Sequence, residues 1–471
     1  MSALSHFLAT LLKNAPKANN AKIVAAVVAL ILFKYRSHAV GTRPRRELKQ
    51  PRGAVPLLGH MPLMLSIPGT KLYDFFVKQN EELGPVWSIS LPIIGRMIQG
   101  DTPEMVEHVL KTNFWAYEKG PIFYSAMGDL FGNGIFNVDG HEWKMQRRLA
   151  SHIMNVKAFR EYTSDVFVKE GEKVIEYLGK AADAGTVVDF HLLMLQFTLD
   201  SFGSISFGES FGCLDNIDKA VDFAVSFDDL TGVCSDRLVD PTWKIREIFS
   251  NVGKKASYDK ELIGKHAFKL IEKRRREGFH GTKKDLLQLF LDTKDENGQP
   301  LSDDMLKDAI LNFTIAGRDT TAQALSWMFY SLNREGADQA VLDTLVKEVD
   351  DVLQGQQPTY ETYKQQKFAE ACLYESLRLF PSVPRNLKQC VQDDVLPDGT
   401  HIYAGEWFTW SSIGQQFATI EALTMIAMIL SKFRIELVEP NKLPAYGVSV
   451  TLPMLDGLPI RVHRRSDVKE E

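Results

Sequence analysis

The stretch LSDDMLKDAILNFTIAGRDTTAQALSWMFYSLNRE reads as one uninterrupted helix from Ser302 to about Arg334. Ser302 is placed to cap it, and Asp303 and Asp304 sit at the positive end of its dipole. At about 1.5 Å per residue such a helix runs about 50 Å, the width of a large domain. A chain built round it must therefore be a large, mainly helical body. Its middle, AGRDTT, breaks an otherwise apolar stripe with Gly317, Asp319 and Thr320. Gly costs about 1 kcal/mol against Ala in mid-helix, so something must offset it. Close approach of a flat ligand would do so. A local opening where a Thr hydroxyl bonds back to a carbonyl would do so too. An acid beside an alcohol is also a pair able to relay protons. The alternative is a polar blemish on a core helix.

The rest of the 471 residues fits that frame. Strand signals fall near 85–100, 383–412 and 433–464, and helical spacing fills most of the remainder. This is mainly α with small β-sheets, not an alternating strand–helix series. FGNGIF, 131–136, has two glycines in G-x-G spacing but neither a third nor a strand–turn–helix setting, which argues against a dinucleotide site. In DGHEWKMQRR, Asp139 and Glu142 have capping-box spacing. Trp143 and Arg147 share one face of the helix that follows, where an indole N–H and a guanidinium suit a carboxylate partner. Glu375 and Arg378, three apart among Cys372, Leu373, Leu377, Leu379 and Phe380, read as a buried pair in need of further partners. Cys213, Cys234, Cys372 and Cys390 have neither disulfide nor zinc spacing and suit a reduced compartment.

Charge is unevenly placed. Residues 1–52 hold ten Lys/Arg against Glu47, a sum of +9, so a total of −5 leaves −14 on the other 419. A basic arm on an acidic body points to a membrane surface, not to nucleic acid. Ile23–Phe33 is eleven unbroken apolar residues between Lys22 and Lys34, about 16 Å as a helix against a hydrocarbon core of about 30 Å. Snorkelling lysines and Tyr35 extend it, and the excess of Lys/Arg downstream places the body in the cytosol. The expected organisation is an interfacial segment over 1–21, a membrane anchor over 22–35 and a basic, Pro-rich hinge over 36–62. A single large domain then covers 63–471. A secretory signal is the rival reading, weakened by the KYR that follows the apolar run.

WxxxR, then AGxDTT on a long helix, then ExxR followed by PSVPR resemble the cytochrome P-450 superfamily of haem-thiolate monooxygenases. DDVLPDGTHIYAGEW and GQQFATIEA look most like its fungal and other eukaryotic fatty-acid and alkane hydroxylases. The resemblance implies the fold of that superfamily and a haem cofactor. Trp143, Arg147 and Arg385 would contact the haem propionates, Ala316 and Gly317 would line its oxygen-binding side, and Asp319 and Thr320 would deliver protons. Glu375 and Arg378 would form a structural lock. It also implies a lipophilic substrate, a flavoprotein reductase using NADPH, and an endoplasmic-reticulum membrane.

One place departs from the pattern. In WFTWSSIGQQFATIEA a strand ending near Trp410–Ser411 runs straight into helical spacing with no turn signal. In the superfamily several tens of residues intervene and carry F-x-x-G-x-R-x-C-x-G, whose Cys binds the iron. Here Ile413 and Gly414 match the residues just after that ligand, so Ser412 stands where the Cys belongs. None of the four cysteines has the loop's glycines and arginine around it. Two readings follow: an oxygenase whose iron-binding segment is missing from this polypeptide, or a haem-free, lipid-binding scaffold.

Overall fold

The structure, a computed structural model, describes residues 17–154, 157–280, 285–295, 298–411 and 418–465. Among them are ten helices of thirteen residues or more. In chain order these are α1 (Lys17–Lys34), α2 (Gly140–Met154), α3 (Lys157–Ala184), α4 (Phe190–Phe207) and α5 (Asp222–Val239). They continue as α6 (Asn251–Glu277), α7 (Asp303–Asn333), α8 (Gln339–Leu353), α9 (Lys367–Leu379) and α10 (Ala418–Leu430). The chain divides into two compact units, Met1–Tyr117 with Leu387–Trp410, and Glu118–Asn386 with Ser411–Glu471.

The first unit is built on a hairpin. Val86–Leu91 pairs antiparallel with Gly95–Gly100, whose far edge takes Trp407–Thr409 in parallel. Trp87, Ile98, Tyr117 and Phe408 are buried on it. The stretch expected to act as a stiff hinge is bonded into this unit. Arg45 is buried and donates to Glu406 Oε2 at 2.6 Å and to the His401 carbonyl at 2.6 Å, while the Ala39 amide donates to Ser90 Oγ at 3.1 Å. The apolar run forms α1, with Leu30 and Phe33 exposed. Among the described residues no helix is long and apolar enough to cross a membrane, so a spanning anchor is not supported.

The second unit is helical round α7, which packs along α4 and against α6, α9 and α10. Its boundaries follow the sequence signals. Ser302 caps it by accepting from the Met305 amide at 3.2 Å, and Asp303 and Asp304 occupy the first turn. Its buried hydroxyls turn back on their own helix, Thr314 to the Ile310 carbonyl at 2.8 Å and Ser326 to that of Ala322 at 2.7 Å. A helix buried on most sides thus satisfies these hydroxyls on its own backbone. Phe202, Ile205, Leu306 and Ile310 form one apolar cluster beside it, and Leu199, Phe227, Ile263, Leu311 and Ile315 another. Pro459–Arg464, between Val188–Asp189 and Phe433–Leu437, makes this unit's three-stranded sheet.

Candidate functional site

The middle of α7 holds the acid–alcohol pair within the second unit. The Thr320 hydroxyl donates to the Ala316 carbonyl at 2.6 Å, the back-bonding the sequence suggested. The Thr320 carbonyl accepts in turn from Ser382 Oγ at 2.8 Å, and the Ser382 carbonyl takes the Leu452 amide at 3.0 Å. The loop after α9 and the chain near 452 therefore fix this turn of α7 from outside. Asp319 is 5% exposed. Burial pushes its carboxyl up to about 6, while Arg318 and the Thr451 hydroxyl pull it down and Asp228 on α5 pushes it up.

Gly317 has a packing reason within the fold itself. A Cβ there would lie 2.7 Å from Cδ2 of Phe202, so the glycine lets α4 pack close against α7. The two glycines of FGNGIF are explained in the same way. Cβ atoms on Gly132 and Gly134 would intrude on Asp308 and Asn312 of α7. Asn312 instead donates to the Phe131 carbonyl at 2.8 Å and accepts from the Phe136 amide at 3.0 Å, and Asp308 accepts from the Asn133 amide at 2.8 Å. The G-x-G loop is clamped to the central helix.

Trp143 and Arg147 lie one turn apart on α2, the Trp half-buried and the Arg exposed. Arg385 is half-buried at the start of the Arg385–Cys390 strand. Asp139, expected in a capping box, spends its carboxylate on the Lys119 amide, 2.9 Å from each oxygen, and on the Gly120 amide at 3.3 Å.

The pair read as buried is not buried. Glu375 and Arg378 bond each other through two contacts of 2.8 and 2.7 Å, yet their side chains are 58% and 62% exposed. The apolar neighbours misled because α9 is amphipathic: Leu373 and Leu377 face the core, while the pair and Leu379 face solvent. No buried charge is left uncompensated there.

Ser412 lies outside the described residues. The donor set tests the fit of a haem iron. Burial pushes the thiols of Cys213, Cys234 and Cys390 up to about 12 and that of Cys372 to about 11, and the segment 412–417, where the sequence places the expected ligand position, lies outside the described residues. No cluster of three His, Cys, Asp or Glu suited to a metal occurs among the described residues. Among the described residues no thiolate donor for a haem iron is identified.

Sequence reasoning missed Arg318, Asp228 and Glu421. Arg318 is buried and forks onto Asp228. Glu421 on α10 is buried with the Thr321 and Ser201 hydroxyls near it, and its Oε1 bonds neither. Burial raises its carboxyl well above the usual range. The only signal in the sequence was a lone acid in the apolar run of α10.

Residues 49–409 match the family model described as Cytochrome P450. The chain is 31% identical to cytochrome P450 monooxygenase cyp1 of Mycosarcoma maydis, over 92% of this chain and 78% of that protein. It is 32% identical to cytochrome P450 94B1 of Arabidopsis thaliana, over 70% and 65%. With cytochrome P450 94A2 of Vicia sativa it shares 28%, over 80% and 83%. The alignment to the fungal protein runs over 506 residues, longer than the 471-residue chain, so at least 35 of its positions face no residue here.

Proposed function

The chain belongs to the cytochrome P450 family, and on that premise we propose that it is the scaffold of a membrane-associated monooxygenase from which the iron-binding segment is missing. The parent reaction inserts one atom of O2 into a lipophilic substrate, a long-chain fatty acid or alkane, with haem as cofactor and electrons from an NADPH-dependent flavoprotein reductase. Such a haem supplies oxygen activation through its thiolate. Asp319 and Thr320 are the groups of this chain that hold and pass protons. The basic arm and α1, too short to span, associate with the cytosolic face of the endoplasmic-reticulum membrane and keep the body near its substrate.

The exposure of Glu375 and Arg378 carries the reading. A structural lock works under cover and with a third partner; here, among the described residues, the two ions meet only each other and both are largely exposed. The family match ending at Thr409 supports a missing segment next to Ser412, and the unmatched positions in the fungal alignment are enough to hold one. Without it this polypeptide has little or no oxygenase activity. The scaffold reading differs in holding that no longer form exists. Two measurements separate the outcomes. Purified 471-residue protein reconstituted with haem should give no thiolate-type carbon monoxide band, and that band with lipid oxidation would overturn the proposal. A transcript read across codons 405–420 should contain inserted sequence with the Cys loop; its absence from every transcript leaves the scaffold reading.

A further inference from the structure

We propose that Asp228 on α5 is a positioning residue for Asp319, setting its charge through the guanidinium they share, Arg318, so that the placement of α5 governs the acid on α7. The inference rests on the reading of Asp319 as a proton-holding group, but its test needs no haem.

The geometry is a three-body contact in the second unit. Arg318 Nη2 donates to Asp228 Oδ2 at 2.8 Å and Nη1 donates to Asp228 Oδ1, a fork that fills both carboxylate oxygens. The same Nη1 reaches Asp319 Oδ1 at 3.1 Å. The two acids differ in setting: the Asp319 side chain is 8% exposed and that of Asp228 51%, against 3% for Arg318. The shared cation thus bridges a buried carboxyl on α7 and a wet one on α5. Arg318 Nε has no partner, so the fork to Asp228 is what orients the guanidinium.

Other groups near the trio do not compete for this role. His191 on α4, whose Nδ1 lies 3.1 Å from Ser326 Oγ, is lowered to about 4 by burial and is neutral. The Cys213 thiol is protonated. Asp200 on α4 is engaged by the Cys213 amide at 3.1 Å and the Leu214 amide at 2.8 Å. Asp189 caps α4 through the His191 amide at 3.0 Å. Glu421 on α10 faces Thr321, and burial raises its carboxyl well above the usual range. Thr451 offers Asp319 a hydroxyl. The charge balance at Asp319 is set by Arg318 and Asp228.

Two effects of Asp228 act on Asp319 with the same sign. It adds a second negative charge near the buried carboxyl, and it draws the guanidinium away. Both favour a protonated Asp319. If α5 shifts outward, Arg318 loses its exposed partner and turns fully to Asp319, which then ionises.

The test is pH-difference infrared spectroscopy of the purified full-length chain. The carboxylic-acid C=O band absent from Asp319→Asn reports Asp319. In the wild type it should titrate near pH 6. In Asp228→Asn its midpoint should fall to about 5 or below, and in Asp228→Glu it should return toward the wild-type value. Asp228→Asn keeps the side-chain volume, and Asp228→Ser is a second removal if the first does not fold. A midpoint that stays or rises on removal, or one that Glu does not restore, overturns the proposal. A purely packing role for Asp228 would change stability without moving this band.

Discussion

Gly134→Ala tests the claim that the G-x-G loop exists to clamp onto α7. An added Cβ would sit well under 3.0 Å from Nδ2, Cγ and Oδ1 of Asn312, a fully buried side chain. Asn312 has nowhere to move without cost: its amide holds the Phe131 carbonyl at 2.8 Å, the Asp308 carbonyl at 2.7 Å and the Phe136 amide at 3.0 Å. Displacing it forfeits two loop-to-helix bonds worth about 1 kcal/mol each, with overpacking strain of about 1–3 kcal/mol on top. The backbone itself accepts Ala, since Gly134 is not in the left-handed region. The net expectation is a loss of about 3–5 kcal/mol, or about 6–10 °C in melting temperature at ~2 °C per kcal/mol. Circular-dichroism melts of wild type, Gly134→Ala, Asn312→Ala and the double variant close a cycle. The same Gly134→Ala change should cost almost nothing once Asn312 is Ala, because the clash is gone. Equal cost in both backgrounds, or none in either, refutes the clamp.

Glu421→Gln should leave stability near that of the wild type at acid pH and raise it above about pH 5. A carboxyl raised in the folded state is bound to its proton more tightly than in the unfolded chain. Its contribution is complete below the unfolded value and fades as pH climbs toward the folded one; pH-dependent melts that stay parallel for the two proteins would contradict it. Glu375→Ala and Arg378→Ala should each melt with the wild type, because the pair is solvated. Failure of either to fold would mean the pair is covered in solution. Arg45→Ala should destabilise the first unit by about 1–3 kcal/mol, since Glu406 loses its 2.6 Å partner and keeps only Arg96 at 3.7 Å and the Tyr403 amide at 3.1 Å, and the His401 carbonyl is freed; a urea midpoint unchanged from the wild type would count against the buried ion pair.

Periodicity and capping made the helices legible. Ser302 and the two acids after it mark the start of α7 because capping is local, decided within one turn. The strand signals near 85–100 correspond to a real hairpin for the same reason, alternation being a property of neighbours. What failed depended on distant residues. The reason for Gly317 lies in Phe202, 115 positions earlier in the chain, and no local rule relates them. The spacing of Glu375 and Arg378 was legible as a pair, but its burial depends on what covers α9. Arg318 looked like filler in AGRDTT until α5 brought Asp228 to it. Spacing identifies which groups can meet along one helix, whereas topology decides their dielectric surroundings and therefore their charge.

The two readings of this polypeptide part over what holds the second unit together. Phe202 and Ile205 of α4, Val166 and Phe167 of α3 and Leu306 and Ile310 of α7 pack directly on one another, and Met425, Ile426 and Ile429 of α10 are buried in turn. These contacts need no group inserted between the helices, so the bundle has its own apolar basis for folding. The AGRDTT turn is a different matter. A helix that serves packing alone is not improved by Asp319 at its centre, because burying a carboxyl opposes ionisation and the fold must supply Arg318 and Thr451 to moderate that. A polar trio kept at such a cost in a bundle that could be apolar is the mark of inherited proton chemistry. On the proposed reading this trio is what an oxygenase scaffold would retain and what a helix selected for packing alone would not.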